Sequence, residues 1–556
     1  MSWPTLLDRR WFAFVLVVLW AVAYLPHLGT RYLRLEEGRR ATPAREMIAT
    51  GEFAVPTLYG DTYLNKPPLF VWSVAATGSL VGEVGPLAVR IPSVLAALGC
   101  AFLALRFAPD VLDRRTRSLA ALFVLATATL LDKGTLGEID ATLCFVVAAA
   151  LKVWWDGSRP GGQTTRSWVG VGLLLGISGL LKGPAGPVLF YLAVVPFLVW
   201  QRKWMRLFSV GHLVCLALTV IPAAAWVAAL LDRGVVSASE LANVWGHQLG
   251  TTHATGAVDE PTVRRGQLLA HYGGMPLQLL GMLFPGVLWL PFGFGRREFA
   301  DQRHGSSDLR RFLVCGVFVP CLVFYLYPES RPRHLMPVFF CAAILAATIV
   351  SRLARGAGRS SNVGHRLALL FSFLPFAAGG VALVLAACTF SEGIRAAAAV
   401  FLTTGIWFWV AVRMTLRTPG SERHWSLAVN LCGAMLATWL AVNAVIVPWR
   451  APHSPTRVAL EAVAGKLSPE EVVYTTRTFP GTGEGYYNLQ FHLARNVRAA
   501  DVESLKRIAP CVAVVTPAER AQLESEGWSV EEVAKLTPPG GPSEVHVIRL
   551  GRASRR

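Results

Sequence analysis

The chain has 556 residues, 53% of them apolar and only 16% charged, with 28 Phe, 18 Trp and a mean hydropathy of +0.45. A soluble domain carries about a quarter charged residues, and a disordered chain needs few aliphatic and many charged ones, so both classes are excluded and most of the polypeptide is expected in a bilayer. The balance of 53 Lys and Arg against 35 Asp and Glu, a net +18, would suggest nucleic acid in a soluble protein; here it reports topology, and no nucleic-acid partner is expected.

A helix needs about 20 apolar residues to cross a membrane, because unsatisfied backbone groups are too costly in hydrocarbon. Runs of that kind predict thirteen spans near residues 11–28, 86–107, 116–132, 138–156, 167–181, 184–200, 207–231, 276–295, 312–328, 335–351, 367–389, 395–412 and 424–448. The pair at 167–200 is divided only by Lys182-Gly183-Pro184 and Gly186-Pro187. Positively charged loops stay on the cytoplasmic side. Arg9 and Arg10, Arg114 to Arg117, Arg159 and Arg166, Arg202 to Arg206, Arg296 to Arg311, Arg352 to Arg366 and Arg413 to Arg423 fall on one side only if 181–187 is a real turn. The expected topology therefore has the N-terminus inside and the C-terminus outside, with the first apolar stretch read as an anchor. Eight of the nine cysteines lie in apolar runs, Cys511 alone is in a polar region, and no CxxC occurs, so neither a disulfide framework nor a zinc motif is expected.

The opposite side receives residues 29–85 and 232–275, long and polar-aromatic, and a tail at 449–556. In the tail, 471–475, 511–515 and 545–550 read as strands and 500–508 and 517–526 as helices. About 100 residues can bury a modest core, which predicts a small α/β domain outside the membrane. The broken midplane helices and inverted repeats of a transporter are not legible.

Candidate chemistry lies in these outer segments. Glu36 and Glu37 follow the first span and precede a short amphipathic helix carrying Arg39; such carboxylates can accept a proton or hold a divalent metal, although an interfacial charge cluster is the plainer alternative. Lys66 stands before Pro67 and Pro68, an extended pedestal from which to meet an anion, unless it merely snorkels. Lys182, at an outer turn, carries the same two readings. Asp140 enters the fourth span, where an acid is expensive unless paired, functional or capping the helix. Arg331, Arg333 and His334 crowd an outer turn, against the charge rule, which favours an anionic partner such as phosphate.

Glu36-Glu37-Gly38-Arg39 with Arg45-Glu46-Met47, then Asn65-Lys66-Pro67-Pro68, Asp140, Lys182-Gly183-Pro184 and Arg331-Pro332-Arg333-His334-Leu335-Met336-Pro337 together resemble the bacterial GT-C glycosyltransferases. Within that group the sequence is most similar to lipid A aminoarabinose transferases, which are related to protein O-mannosyltransferases. The resemblance implies a membrane all-α fold: a polytopic bundle of about 13 helices over residues 1–448, with outer juxtamembrane helices, and an extracytoplasmic α/β domain over 449–556.

It implies an inner-membrane enzyme moving a sugar from a polyprenyl-phosphate donor to lipid A, another glycan or a protein on the periplasmic face. Glu36 falls on the catalytic aspartate, with Glu37 and Asp140 as further catalytic carboxylates. Lys66, Arg39, Lys182, Arg331, Arg333 and His334 would bind substrate. The sequence departs from the family at Glu36, one methylene longer than Asp, at Asn65, often Glu, and at His334, often Tyr. A divalent metal stays open; His247, His253 and His271 are available, but their spacing makes no zinc motif. A polyprenyl-phosphate transporter that breaks no bond is the reading from another class.

Overall fold

The computed structural model describes residues 6–248 except 32, 34, 35 and 160, then 261–294, 306–355 except 329, scattered positions of 405–418, 422–443, 455–476 except 469, 489, 493, 496–536 and 545–552. The expected spans 367–389 and 395–412 fall almost wholly outside these residues. The molecule is mostly helical. From the N-terminus come α1 (Phe12–Tyr24), α2 (Gly38–Thr50), α3 (Leu69–Val81), α4 (Pro86–Leu105), α5 (Arg114–Ala126), α6 (Ala128–Gly134) and α7 (Ile139–Ser158). There follow α8 (Thr164–Lys182), α9 (Ala185–Trp200), α10 (Val210–Asp232), α11 (Ala238–Gln248), α12 (Pro261–Met282), α13 (Ser306–Leu326), α14 (Val338–Arg355) and α15 (Arg423–Ala441).

Among the described residues, five of these helices, α4, α8, α10, α13 and α14, are long and apolar enough to cross a membrane. The chain is a membrane protein with a helical bundle. Helix α14 is the most enclosed, nearly every side chain from Val338 to Val350 being buried, whereas α10 turns Leu213, Val220, Ile221 and other apolar residues outward, as a lipid-facing helix does. The expected turn near 183 is real. Helix α8 stops at Gly183, whose φ of +60° lies in the left-handed region that glycine tolerates, and α9 begins after Pro184.

Two expected spans are not single helices. Residues 116–132 divide at Thr127, whose backbone is extended (φ −63°, ψ 125°). Residues 276–295 also break: α12 ends at Met282 and a 3-10 segment, Gly286–Phe294, leaves at 109° to it. Pro285 accounts for the second break, since it lacks an N–H and disfavours helix in the residue before it. The two breaks satisfy one another. The Ala128 N–H donates to the Phe284 carbonyl at 3.1 Å and the Thr129 hydroxyl to the Met282 carbonyl at 3.3 Å, so backbone groups freed within the bundle find partners inside protein.

Residues 29–85 fold into α2, a hairpin of β1 (Thr57–Leu58) and β2 (Asp61–Thr62), and α3. Glu46 holds the hairpin on α2, accepting from the Tyr59 N–H at 2.8 Å and from the Thr57 hydroxyl. The tail begins with α16 (Pro455–Ala464) and forms a five-stranded sheet of β3 (Val473–Thr475), β4 (Val497–Ala499), β5 (Cys511–Val515), β6 (Ser529–Leu536) and β7 (Val545–Gly551), in the order β4-β3-β5-β7-β6. β3 is parallel to β4 and β5, β7 antiparallel to β5 and β6, with α17 (Val502–Ile508) and α18 (Pro517–Ser525) in the connections. Tyr59, 1% exposed, packs into the core of this sheet with Leu460, Val463 and Val512, and its carbonyl accepts from the Ala499 N–H at 2.8 Å. Residues 29–85 thus join tail to bundle.

Candidate functional site

The adjacent carboxylates Glu36 and Glu37 point to different places. Glu37, at the start of α2, is fully buried. Arg90 of α4, also fully buried, donates from Nε and Nη2 to its two oxygens at 2.7 Å each, and the Gly137 N–H adds a bond of 2.8 Å. The remaining guanidinium nitrogen donates to the carbonyls of Leu28 and Arg31 at 2.5 and 2.8 Å, and Arg31 itself donates to the Thr135 carbonyl at 2.9 Å. One buried ion pair therefore ties the end of the α1 region, the start of α2, α4 and the loop before α7. Gly137 is required there: a Cβ would lie 2.1 Å from Val89 Cγ1 and 2.8 Å from its carbonyl oxygen. Burial pushes the Glu37 carboxyl upward, but Arg90, Arg31 and the Gly137 amide outweigh it and hold the group below the ordinary range.

Glu36 faces the other way. Its side chain is 32% exposed and lies 3.3 Å from Arg39, 3.6 Å from Arg40 and 3.7 Å from Arg333. Burial raises its pKa, and the three guanidiniums together lower it further than burial raises it, so Glu36 is ionised at neutral pH.

Around it, chain-distant segments deliver the other charges. Asp140, in the first turn of α7, pairs with Lys182 at the end of α8, the two side chains 9% and 15% exposed. Lys133 of α6 lies 3.3 Å from Glu138 and 3.5 Å from Asp132. Lys66 sits half-buried just before α3, within electrostatic reach of Lys182, Arg40, Glu36 and Arg39. His334 feels Lys182, Asp140, Arg333 and Arg331. Each expected residue except Glu37 thus falls in one electrostatically connected group, although Arg331 itself is exposed.

The potential of that group is positive. Burial and the neighbouring cations Lys182 and Arg40 push the Lys66 amine down to about 8. Burial, Lys182 and the arginines push the His334 imidazole down to about 4, so it is neutral at pH 7. An amine whose charge is disfavoured by like charges and by burial regains it when an anion binds beside it. The arrangement suits a phosphate.

It does not suit a metal. Among the described residues no three His, Cys, Asp or Glu side chains gather as a metal site requires, and Asp140 and Glu36 are each held by cations. His253 lies outside the described residues, and His271 bonds the Tyr325 carbonyl at 3.0 Å and stacks on that ring. All the described cysteines are free.

Four residues escape the sequence reading: Arg40, Arg90, Lys133 and Glu138. Arg90 and the Asp132-Lys133-Gly134 tripeptide carried a usable signal, since charges inside apolar runs are rare unless paired or functional. Arg40 had a weaker one, its position four residues after Glu36 on a helix.

The comparisons agree with the resemblance. Residues 65–227 match the family model described as dolichyl-phosphate-mannose-protein mannosyltransferase. The chain is 26% identical over 376 residues to an undecaprenyl phosphate-alpha-4-amino-4-deoxy-L-arabinose arabinosyl transferase of Edwardsiella ictaluri, a match covering 67% of this chain and 64% of that one. To the protein of that name from Erwinia tasmaniensis it is 27% identical over 452 residues, 78% of this chain and 76% of that one. Its fold is that of ArnT from Cupriavidus metallidurans. The apo crystal structure gives a TM-score of 0.67 at 20% identity, and the structure bound to undecaprenyl phosphate 0.68 at 19%, each over 97% of both chains.

Proposed function

We propose that the protein is an integral-membrane glycosyltransferase that takes a sugar from a polyprenyl-phosphate donor and gives it to an acceptor on the extracytoplasmic face, with lipid A as the first acceptor to test. The observation that carries this reading is the cationic group around Lys66 and Glu36, seated between the bundle and the first outer segment. The names of the relatives supply the donor class and the sugar, an aminoarabinose. The thirteen-span topology, the inner-membrane location with an outer site, and the division into a bundle of residues 1–448 and an extracytoplasmic domain of 449–556 belong to the same proposal.

In the transfer, the bond between the anomeric carbon and the lipid phosphate oxygen breaks, and one between that carbon and the acceptor oxygen forms. Lys66, Arg333 and Arg331 stabilise the phosphate as it departs, a task for preorganised cations in a sheltered site. Glu36, ionised and partly exposed, orients the attacking group and accepts its proton where the acceptor is a hydroxyl; a phosphate acceptor needs little base. Asp140 fixes Lys182 beside the site. Neutral His334 is available as a hydrogen-bond partner for the sugar. Glu37 serves by holding the loop on Arg90 rather than by touching substrate.

Expression in a host lacking its own transferase, followed by mass spectrometry of lipid A, tests the proposal. Aminopentose-bearing lipid A supports it; unmodified lipid A and unmodified envelope glycans and proteins, from cells that hold the protein and the donor, count against it. A second reading, a polyprenyl-phosphate transporter, draws on the helix breaks at Thr127 and Phe284, because interrupted helices inside a membrane also mark transport sites.

A further inference from the structure

At the far end of the bundle lies a cleft that plays no part in the proposed transfer. Helix α14 starts beside Leu335 and His334 and runs for 18 residues, roughly 27 Å at 1.5 Å per residue, to Arg355. Its last turns, the first turn of α13 and the first turn of α5 enclose a cavity of about 80 Å³. The floor is apolar, formed by Leu313, Leu345 and Ile349, and the rim carries Arg310, Arg352 and Arg355. The lining carboxylate among the described residues is Asp113; it caps α5 by accepting from the Thr116 N–H at 2.7 Å and lies 3.9 Å from Arg355.

Thr116 lines this cavity, is 1% exposed, and its Oγ1 is buried with no hydrogen-bond partner among the described residues. Buried hydroxyls are nearly always satisfied, so an orphan at a cavity wall marks a place for a polar atom that is not protein. Two helix N-termini point their partial positive charge at the same space, and three guanidiniums surround it. An acceptor-rich anion fits all three features. The apolar floor adds a second requirement, because an isolated phosphate gains nothing from Leu313 and Ile349, whereas a headgroup continuous with acyl chains does. Basic pockets between transmembrane helices bind anionic headgroups for this reason.

We propose that this cleft binds the phosphodiester headgroup of an anionic phospholipid in the leaflet opposite the candidate site. The inference rests on membrane embedding alone and not on the transfer reaction. The phosphate accepts from the Thr116 hydroxyl and from the arginine rim, while the glyceride end lies along the leucines. Full-length protein, purified and delipidated in a neutral detergent, is titrated by native mass spectrometry with phosphatidylglycerol, phosphatidylcholine and inorganic phosphate. Wild type binds phosphatidylglycerol about tenfold or more above phosphatidylcholine. Paired Arg310→Gln and Arg352→Gln changes abolish that preference. Thr116→Val, nearly isosteric at a buried position, lowers it several-fold, and carries the test alone if the arginine variant does not fold. A preference that survives in the folded variants, or is missing from wild type, overturns the proposal, as does displacement of the lipid by equimolar inorganic phosphate.

Discussion

Glu37 and Arg90, 53 positions apart in the chain, meet through two hydrogen bonds of 2.7 Å with both side chains wholly buried. The neighbouring Glu36 is left to face Arg39, Arg40 and Arg333. Two carboxylates side by side in sequence thus face different partners: Glu37 is locked in a buried ion pair and Glu36 stands among three guanidiniums.

Removing one partner of a buried ion pair strands the other charge and costs about 3–5 kcal/mol. Glu37→Gln should therefore lower the midpoint of thermal unfolding of the purified protein, and Arg90→Met should do the same. A Glu37→Gln protein of unchanged midpoint and sharply reduced turnover would instead place Glu37 among the reacting groups.

The Lys66 amine, held down to about 8 by burial and by Lys182 and Arg40, should make capture of the proposed donor pH-dependent. Below that value the empty site already holds a charged lysine, and binding needs no proton. Above it the amine must take up a proton to meet the phosphate, so affinity for undecaprenyl phosphate falls by up to about tenfold per pH unit between pH 8 and 10. Binding to Lys66→Gln should be weaker and flat over that window; a flat wild-type profile would remove Lys66 from the phosphate contacts.

Asp140 and Lys182 are expected to be energetically coupled. A double-mutant cycle with Asp140→Asn and Lys182→Gln, read by thermal unfolding, should give an interaction of about 0.5–3 kcal/mol. Additive losses would mean that the two charges act separately.

A reporter fused after residue 450 should be active only outside the cytoplasm, as the alternation of basic loops requires. A cytoplasmic signal would reverse the sidedness of every site residue proposed above.

The charged residues of the site were legible because they stand out against apolar sequence: Asp140 and Lys182 each drew attention alone. Their pairing was not legible, since 42 positions separate them and only the packing of α7 against α8 brings them together. The Thr127 break left no mark, as Thr127 and its neighbours are compatible with a continuous span, whereas Pro285 was a visible breaker that the surrounding apolar run outweighed. In the tail, β3, β5 and β7 showed as apolar runs, but β4 and β6 are sheet edges. β6, rich in glutamate and largely exposed, has the polar composition that guards an edge and hides it from a search for apolar strands.

Whether Glu36 and the surrounding cations break a sugar–phosphate bond is decided by a single-turnover assay. Purified wild type and Glu36→Gln are each mixed with undecaprenyl-phosphate aminoarabinose and lipid A, and bound donor and modified acceptor are quantified together by mass spectrometry. Wild type should transfer the sugar, and the nearly isosteric Gln variant should bind donor as well but transfer at least about 10²-fold more slowly if Glu36 acts as a base. Donor binding by wild type with no sugar moved to lipid A or to any other envelope acceptor supplied would mean that the protein is no transferase and would leave lipid-phosphate transport as its function.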